Sequence, residues 1–299
     1  MDIWRLSEKF DNLKLRAEIL RLTRSFLYSR GYLEIETPAL AECPIPEACI
    51  EPIETTRGRL LPSPELYMKQ LLAAGSGDIY QICHSFRKNE KGRQHREEFT
   101  LLEYYRVGGN YLQLAAETEA LVIGLSEATR NSSRINYQGM SIDLSPPWRR
   151  LSVAEAYMSA CGWNPITVDD LERFDLDLAT GVAGLSRERP LILYDFPAGM
   201  ASLARLKPED PSLAERTEIF IGGLEIANIF SELTDPGEQR KRFEIEIKSA
   251  EKQNRSAALP EEFLESLKSL PEAAGGALGI DRLVMLFCDA ASIDEVVAF

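Results

Sequence analysis

Between Ile79 and Arg106 two strand-like runs flank a cationic loop, and no other stretch constrains the fold as strongly. Ile79-Tyr80-Gln81-Ile82-Cys83 alternates as a half-buried strand does, and Phe99-Thr100-Leu101-Leu102-Glu103-Tyr104-Tyr105 is rich in strand formers with a carboxylate inside. The span between them, with Gly92 central, reads as a long hairpin loop. It holds Arg87, Lys88, Lys91, Arg93 and Arg96 in a chain of formal net charge -13. A charged hairpin tip is often merely solvated. Here the local reversal of sign suits a nucleotide triphosphate.

Two further segments support that reading. Gly275-Gly276-Ala277-Leu278-Gly279 is a glycine-dense approach to an amphipathic helical run, Ile280 to Leu286, with Arg282 in its first turn. Near the start, Arg30-Gly31 is a helix stop, followed by a strand over 34–37 and then Pro38.

Composition narrows the function classes. With 299 residues, 44% of them hydrophobic, the chain can bury a large core. No run approaches the roughly 20 apolar residues of a membrane helix, and the first residues lack a signal-peptide core, so no membrane partner and a cytoplasmic location are expected. The five cysteines form no CxxC pair and there are two histidines, which argues against a disulfide framework and a Cys/His zinc site. Any metal should be a hard cation on carboxylates. A pI of about 4.9 weighs against broad nucleic-acid binding, though a local basic patch can hold a small nucleotide.

Along the chain, the apolar stripe predicts a helix over 7–30 with Ser7 as cap and Gly31 as stop. An irregular segment over 42–62 follows. Ser63 is expected to cap a helix through Ala74 with Pro64 at its first position. A helix from Tyr111 to Ala128, a buried strand over 191–195, a strand hairpin over 215–233 and a solvated helix over 236–254 complete the order. The 146–190 region shows no chemistry. No repeat, low-complexity tract or linker divides the chain, so 1–299 reads as one catalytic domain.

In order, these segments resemble the three signature motifs of class II aminoacyl-tRNA synthetases, at 30–38, 85–105 and 276–282. Ser63 to Lys69 and Gly223 to Leu233 resemble lysine-pocket segments of the lysyl branch. The resemblance implies an α+β catalytic core with an antiparallel β-sheet flanked by helices. The first catalytic helix begins within ten residues of Met1, leaving no room for an anticodon-binding barrel, and such a stand-alone core resembles the ligases that attach β-lysine to elongation factor P. It implies an ATP-dependent amino acid–protein ligase that forms an aminoacyl-adenylate, with (R)-β-lysine or lysine as substrate, elongation factor P as acceptor, no tRNA, and a homodimer with Pro38 near the interface. The alternative is an α-lysine adenylating enzyme that serves tRNA or another carrier.

The resemblance also implies residue roles. Arg87, Glu225 and Arg282 are the catalytic expectations. ATP would be held by Arg87, Lys88, Asn89, Glu90, His95, Arg96, Phe99, Glu225, Ile226, Gly279 and Arg282, with Phe99 and Arg282 sandwiching the adenine. Mg2+ would sit on Glu218 and Glu225. These lie seven residues apart on a strand-like segment and share a face only if a bulge intervenes. The amino acid would meet Ser63, Pro64, Glu65, Glu103, Tyr105, Asn228, Glu232 and Ala277, with Glu232 and Tyr105 on the ε-ammonium and alanine rather than glycine at 277 as the discriminator for the β isomer. Asn89, Arg96-Glu97 and Ile229 depart from the resembled pattern, and Ile229 is expected near the pocket.

Overall fold

The computed structural model describes residues 3–168 and 170–299. At its centre lies an eight-stranded sheet of β1 (Leu33–Glu34), β2 (Ile79–Phe86), β3 (Glu98–Val107), β4 (Arg149–Ser152), β5 (Leu191–Pro197), β6 (Leu213–Ile221), β7 (Leu224–Ser231) and β8 (Ala273–Gly279). The spatial order is β1-β2-β3-β8-β7-β6-β5-β4. The six central strands pair antiparallel, and only the edge pairs β1–β2 and β4–β5 are parallel. The expected α+β core is therefore present.

The hairpin read from the sequence forms in full, from Ile79 opposite Tyr105 to Phe86 opposite Glu98. Residues 100 to 105 are buried on both faces, because β3 is a central strand covered on both sides. Over one face the helices Phe10–Ser29, Tyr111–Arg130 and Ile280–Cys288 pack their apolar stripes, among them Ile19, Leu121 and Leu283, onto Leu102, Tyr104 and Ile229. On the other face Glu65–Ala73, Pro236–Lys252 and Glu261–Ser266 contribute Met68, Phe243 and Phe263 to a smaller cluster around Tyr105.

The β6–β7 hairpin closes on Gly222 and Gly223, at φ +62° and +84°, the left-handed pair that a two-residue turn of this twist requires. Behind the turn the register shifts. Ile219 faces Ala227 while Phe220 faces Glu225, so Ile226 is the extra residue of a bulge.

Local differences from the sequence reading have simple causes. Ser7 lies inside a separate short helix, Ile3–Glu8, and the long helix starts at Phe10 with Lys9 at its cap position. Gly31 does end it, at φ +84°, with the Gly31 and Tyr32 amides donating back to Tyr28 and Leu27. The strand expected over 34–37 is limited to Leu33–Glu34, because the chain turns off the sheet edge ahead of Pro38. Pro64 takes the cap position that Ser63 was expected to fill, and Ser63 Oγ instead accepts the Glu65 N–H at 3.0 Å. The 146–190 region supplies edge strand β4, and its Tyr157, Trp163 and Phe174 join an aromatic cluster with Phe196 of β5.

Candidate active site

Two cavities open above the central strands and meet along a common wall. The larger, of about 340 Å³, is lined by Arg87, His95, Phe99, Glu218, Glu225 and Arg282 among others. The smaller, of about 140 Å³, includes Ser63, Glu65, Glu103, Tyr105 and Gly276. Glu47, Arg87, Arg216, Asn228 and Ala277, with the apolar Ile50 and Leu101, line both.

The larger cavity interleaves four arginines, Arg87, Arg96, Arg216 and Arg282, with carboxylates. Arg282, in the first turn of Ile280–Cys288, donates from Nη1 to the Glu225 carbonyl at 2.9 Å, and Nη2 lies 2.7 Å from His95 Nε2. A guanidinium only donates, so Nε2 must accept and His95 is the neutral Nδ1–H tautomer. Burial, then the Arg282 charge, lowers the His95 pKa in agreement. Behind Arg282, Asp281 Oδ1 takes Arg16 Nη1 at 2.6 Å, its Oδ2 takes the Thr100 amide at 2.7 Å, and Arg16 Nη2 reaches Thr100 Oγ1 at 2.7 Å. This network ties the Arg282 helix to the strand that carries Phe99. The Arg87 guanidinium lies 5.2 Å from the Phe99 ring centroid, and its buried Nε has no hydrogen-bond partner among the described residues.

Glu218 and Glu225 share a face because they lie on adjacent strands either side of the Gly222-Gly223 turn, Glu225 pairing with Phe220 on the Glu218 face, and the bulge sets Asn228 in place of Ala227 opposite Glu218. Glu218 Oε1 accepts Arg216 Nη2 at 2.7 Å while its buried Oε2 has no partner among the described residues. Burial, then the Glu225 charge, pushes the Glu218 carboxyl up to about 7. An orphaned carboxylate oxygen beside a second carboxylate fits a hard cation such as Mg2+. Among the described residues no group of three His, Cys, Asp or Glu forms a metal cage, so the other ligands would be phosphate oxygens and water.

The smaller cavity is acidic. Glu103 accepts Ser63 Oγ at 2.6 Å and the Tyr105 hydroxyl at 2.5 Å. Lys69 Nζ sits 2.5 Å from Glu65 Oε1 and against Glu232 Oε2. Burial would lower the Lys69 pKa, but the Glu232 and Glu65 charges outweigh it and raise it. Burial lifts Glu103 and Glu232 to about 8 each. Three carboxylates against one internal cation leave the cluster short of positive charge, which an added ammonium would supply.

Most of the expected residues converge here. Arg87, Glu90, His95, Arg96, Phe99, Glu218, Glu225, Ile226, Gly279 and Arg282 line the larger cavity, Ser63, Glu65, Glu103 and Tyr105 the smaller, and Asn228 and Ala277 both. Ala277 sits in register between Asn228 and Glu103. Four expected residues line neither. Lys88 pairs with Glu51, Asn89 at φ +65° donates from Nδ2 to Glu51 at 3.0 Å, Pro64 is turned into the helix start, and Glu232 lies behind Gly275, engaged by Lys69. Ile229 is fully buried in the core on the far face of β7, so it does not narrow the pocket. Sequence reasoning missed Glu47, Arg216 and Lys69. Arg216 could have been found, since it stands two residues before Glu218 on the same strand face, and Lys69 follows Glu65 at helical spacing. Glu47 lies in an irregular proline-rich segment with no periodicity to mark it.

The family model described as tRNA synthetases class II (D, K and N) matches residues 1–299. An elongation factor P--(R)-beta-lysine ligase of Edwardsiella ictaluri is 38% identical over 324 aligned residues, covering 100% of this chain and 98% of the relative. Proteins of the same name from Pectobacterium carotovorum and Vibrio atlanticus are each 37% identical, over 99% of this chain and 97% of the relative.

Proposed function

Because the chain belongs to the class II tRNA synthetases of the D, K and N type and is an ATP-dependent ligase, we propose that it activates (R)-β-lysine as an adenylate and transfers it to a lysine of elongation factor P. The observation that carries this reading is the meeting, at Arg87 and Arg216, of a cavity lined by four arginines and a carboxylate pair with one that gathers Glu65 and Glu103. The first suits a triphosphate and the second a substrate with two ammonium groups and a carboxylate. Arg87 and Arg216 stand at the junction, where the substrate carboxylate would attack the α-phosphate with loss of pyrophosphate. Their donors would hold both anions in line and neutralise the charge that builds between them.

Phe99, Arg282 and the neutral His95 form the adenine end, and Gly279 leaves room beside them. Glu218 and Glu225 would hold Mg2+, which supplies charge neutralisation to the phosphates. Glu65 and Glu103, the latter with the Tyr105 hydroxyl on it, would receive the amines, with Asn228 toward the carboxylate and Glu232 acting from behind through Lys69. Ala277 lines both cavities, and its methyl group beside the amine-bearing carbon would select between positional isomers by about 1–3 kcal/mol. The bound state pairs the surplus carboxylates of the smaller cavity.

Residues 1–299 act in this reading as one catalytic domain, in the cytoplasm, paired as a homodimer through the first strand and helix. The exposed Phe10, Tyr28 and Leu33, at 53%, 79% and 56% accessible, support an apolar partner surface there.

The test is direct. Incubated with ATP, Mg2+, (R)-β-lysine and elongation factor P, the protein should add one β-lysyl group to the factor, read by intact mass. The reading is wrong if the factor gains no mass while α-lysine is adenylated efficiently and labelled tRNA becomes charged.

A further inference from the structure

An aminoacyl-adenylate places its nucleotide in one cavity and its acyl group in the other, so its reactive carbonyl must lie along the wall common to both. This inference rests on the function proposed above. Of the groups on that wall, Arg87 and Arg216 are permanent cations, Asn228 is an amide without basicity, and Ile50, Leu101 and Ala277 are apolar. Glu47 is the one proton acceptor among the described residues that line both cavities.

We propose that Glu47 is the general base of the transfer step, taking the proton from the acceptor lysine nitrogen as it attacks the activated carbonyl. The acceptor first reaches its neutral amine form by losing a proton to solvent. Its nitrogen lone pair then forms the C–N bond. The bond from the carbonyl carbon to the phosphate oxygen breaks, and its electron pair leaves with AMP. The second proton on the now cationic nitrogen passes to the Glu47 carboxylate, leaving a neutral amide, and Glu47 returns it to water.

The segment that carries Glu47 is fixed from behind. The Ala48 amide donates to Glu246 Oε2 at 2.6 Å, Arg255 Nη1 donates to the Ile50 carbonyl at 3.0 Å, and Glu51 is held by Lys88 and by Asn89 of the hairpin loop. Lys88 and Asn89, which line neither cavity, thereby acquire a task as a latch that aims Glu47 at the wall. Glu47 is half-buried and also borders an outer cavity lined by Pro44, Pro46 and Ala257, through which a released proton can reach solvent. The charged groups around it are Glu65, Arg87, Glu246 and Arg216. Burial, then Glu65, raises its carboxyl to about 7 against the pull of the two arginines, a value matched to proton transfer near neutral pH.

The experiment uses the full chain, single-turnover transfer from preformed adenylate, and two acceptors: elongation factor P, and hydroxylamine, which is neutral at pH 7 and a strong nucleophile. Glu47→Gln should slow transfer to the factor about 100-fold or more, while hydroxamate formation falls far less and shows the variant folded and loaded. The wild-type rate of transfer should rise with pH through an inflection near 7 that Glu47→Gln lacks and Glu47→Asp partly restores. Transfer at the wild-type rate in Glu47→Gln, or equal loss with both acceptors, or a change confined to the KM for β-lysine in pyrophosphate exchange, overturns the assignment of Glu47. Absence of any β-lysine-dependent pyrophosphate exchange in the wild type overturns the adenylating function and this proposal together.

Discussion

Gly275 shows how tightly single residues are set in the acidic cavity. A Cβ there would lie 2.2 Å from Glu232 Oε1 and 2.5 Å from Tyr105 Cε1, and both neighbours are buried. Gly275→Ala is therefore expected to cost about 1–3 kcal/mol of stability by overpacking and to raise the KM for the amino acid while leaving the KM for ATP near its normal value. Thermal melts and pyrophosphate exchange check both parts. Other single residues differ in how legible they were. Arg87, Phe99 and Arg282 carry a recognisable order along the chain, whereas Glu47 is a lone carboxylate among prolines and acquires meaning only from what faces it in space.

At the scale of elements, strands and hairpins were legible where alternation and turn glycines agreed, as in β2–β3 and at Gly222-Gly223. Their exact ends were not, because caps depend on which carbonyls the tertiary structure leaves free. The bulge at Ile226 is the clearest case. The two-residue turn already puts Glu218 and Glu225 on one face, whereas only the register shift sets Asn228 opposite Glu218. The Arg16–Asp281–Thr100 network is a second, since it joins a helix, a strand and a second helix far apart in sequence. Removing Asp281 strands a mostly buried guanidinium, so Asp281→Ala should lose about 3–5 kcal/mol and raise the KM for ATP as the Arg282 helix loosens. A variant that melts like the wild type would show that the network does not anchor this helix.

For the whole molecule, the acidic cavity couples stability to pH and to substrate. Glu103 and Glu232, raised to about 8 mainly by burial, bind more protons in the folded chain than in the unfolded one. With more protons on the native state, stability falls as pH rises, across the window from the ordinary carboxylate range near 4.5 to about 8. The melting temperature of the substrate-free protein should accordingly drop from pH 5 to pH 9 more steeply than in a Glu103→Gln variant. A dicationic amino acid should oppose that drop and release protons on binding near pH 7, which calorimetry in buffers of different ionisation enthalpy reads directly. Binding with no proton release at that pH would contradict the charge balance drawn for the cavity.

Periodicity and turn chemistry by themselves determined the central hairpin, and the order of the motifs, through the resemblance it carries, the α+β class, the family and the greater part of the residues that line the larger cavity, because these are encoded in local spacing and order. The tertiary structure alone decided that Glu232 is engaged by Lys69, that Lys88 and Asn89 latch a loop instead of lining a cavity, that Ile229 faces the core, and that Arg216 and Glu47 stand where the two cavities meet. The physical reason is common to all of these. Burial and charge pairing are set by whichever groups arrive from distant parts of the chain, and neither the spacing nor the identity of one residue carries that information.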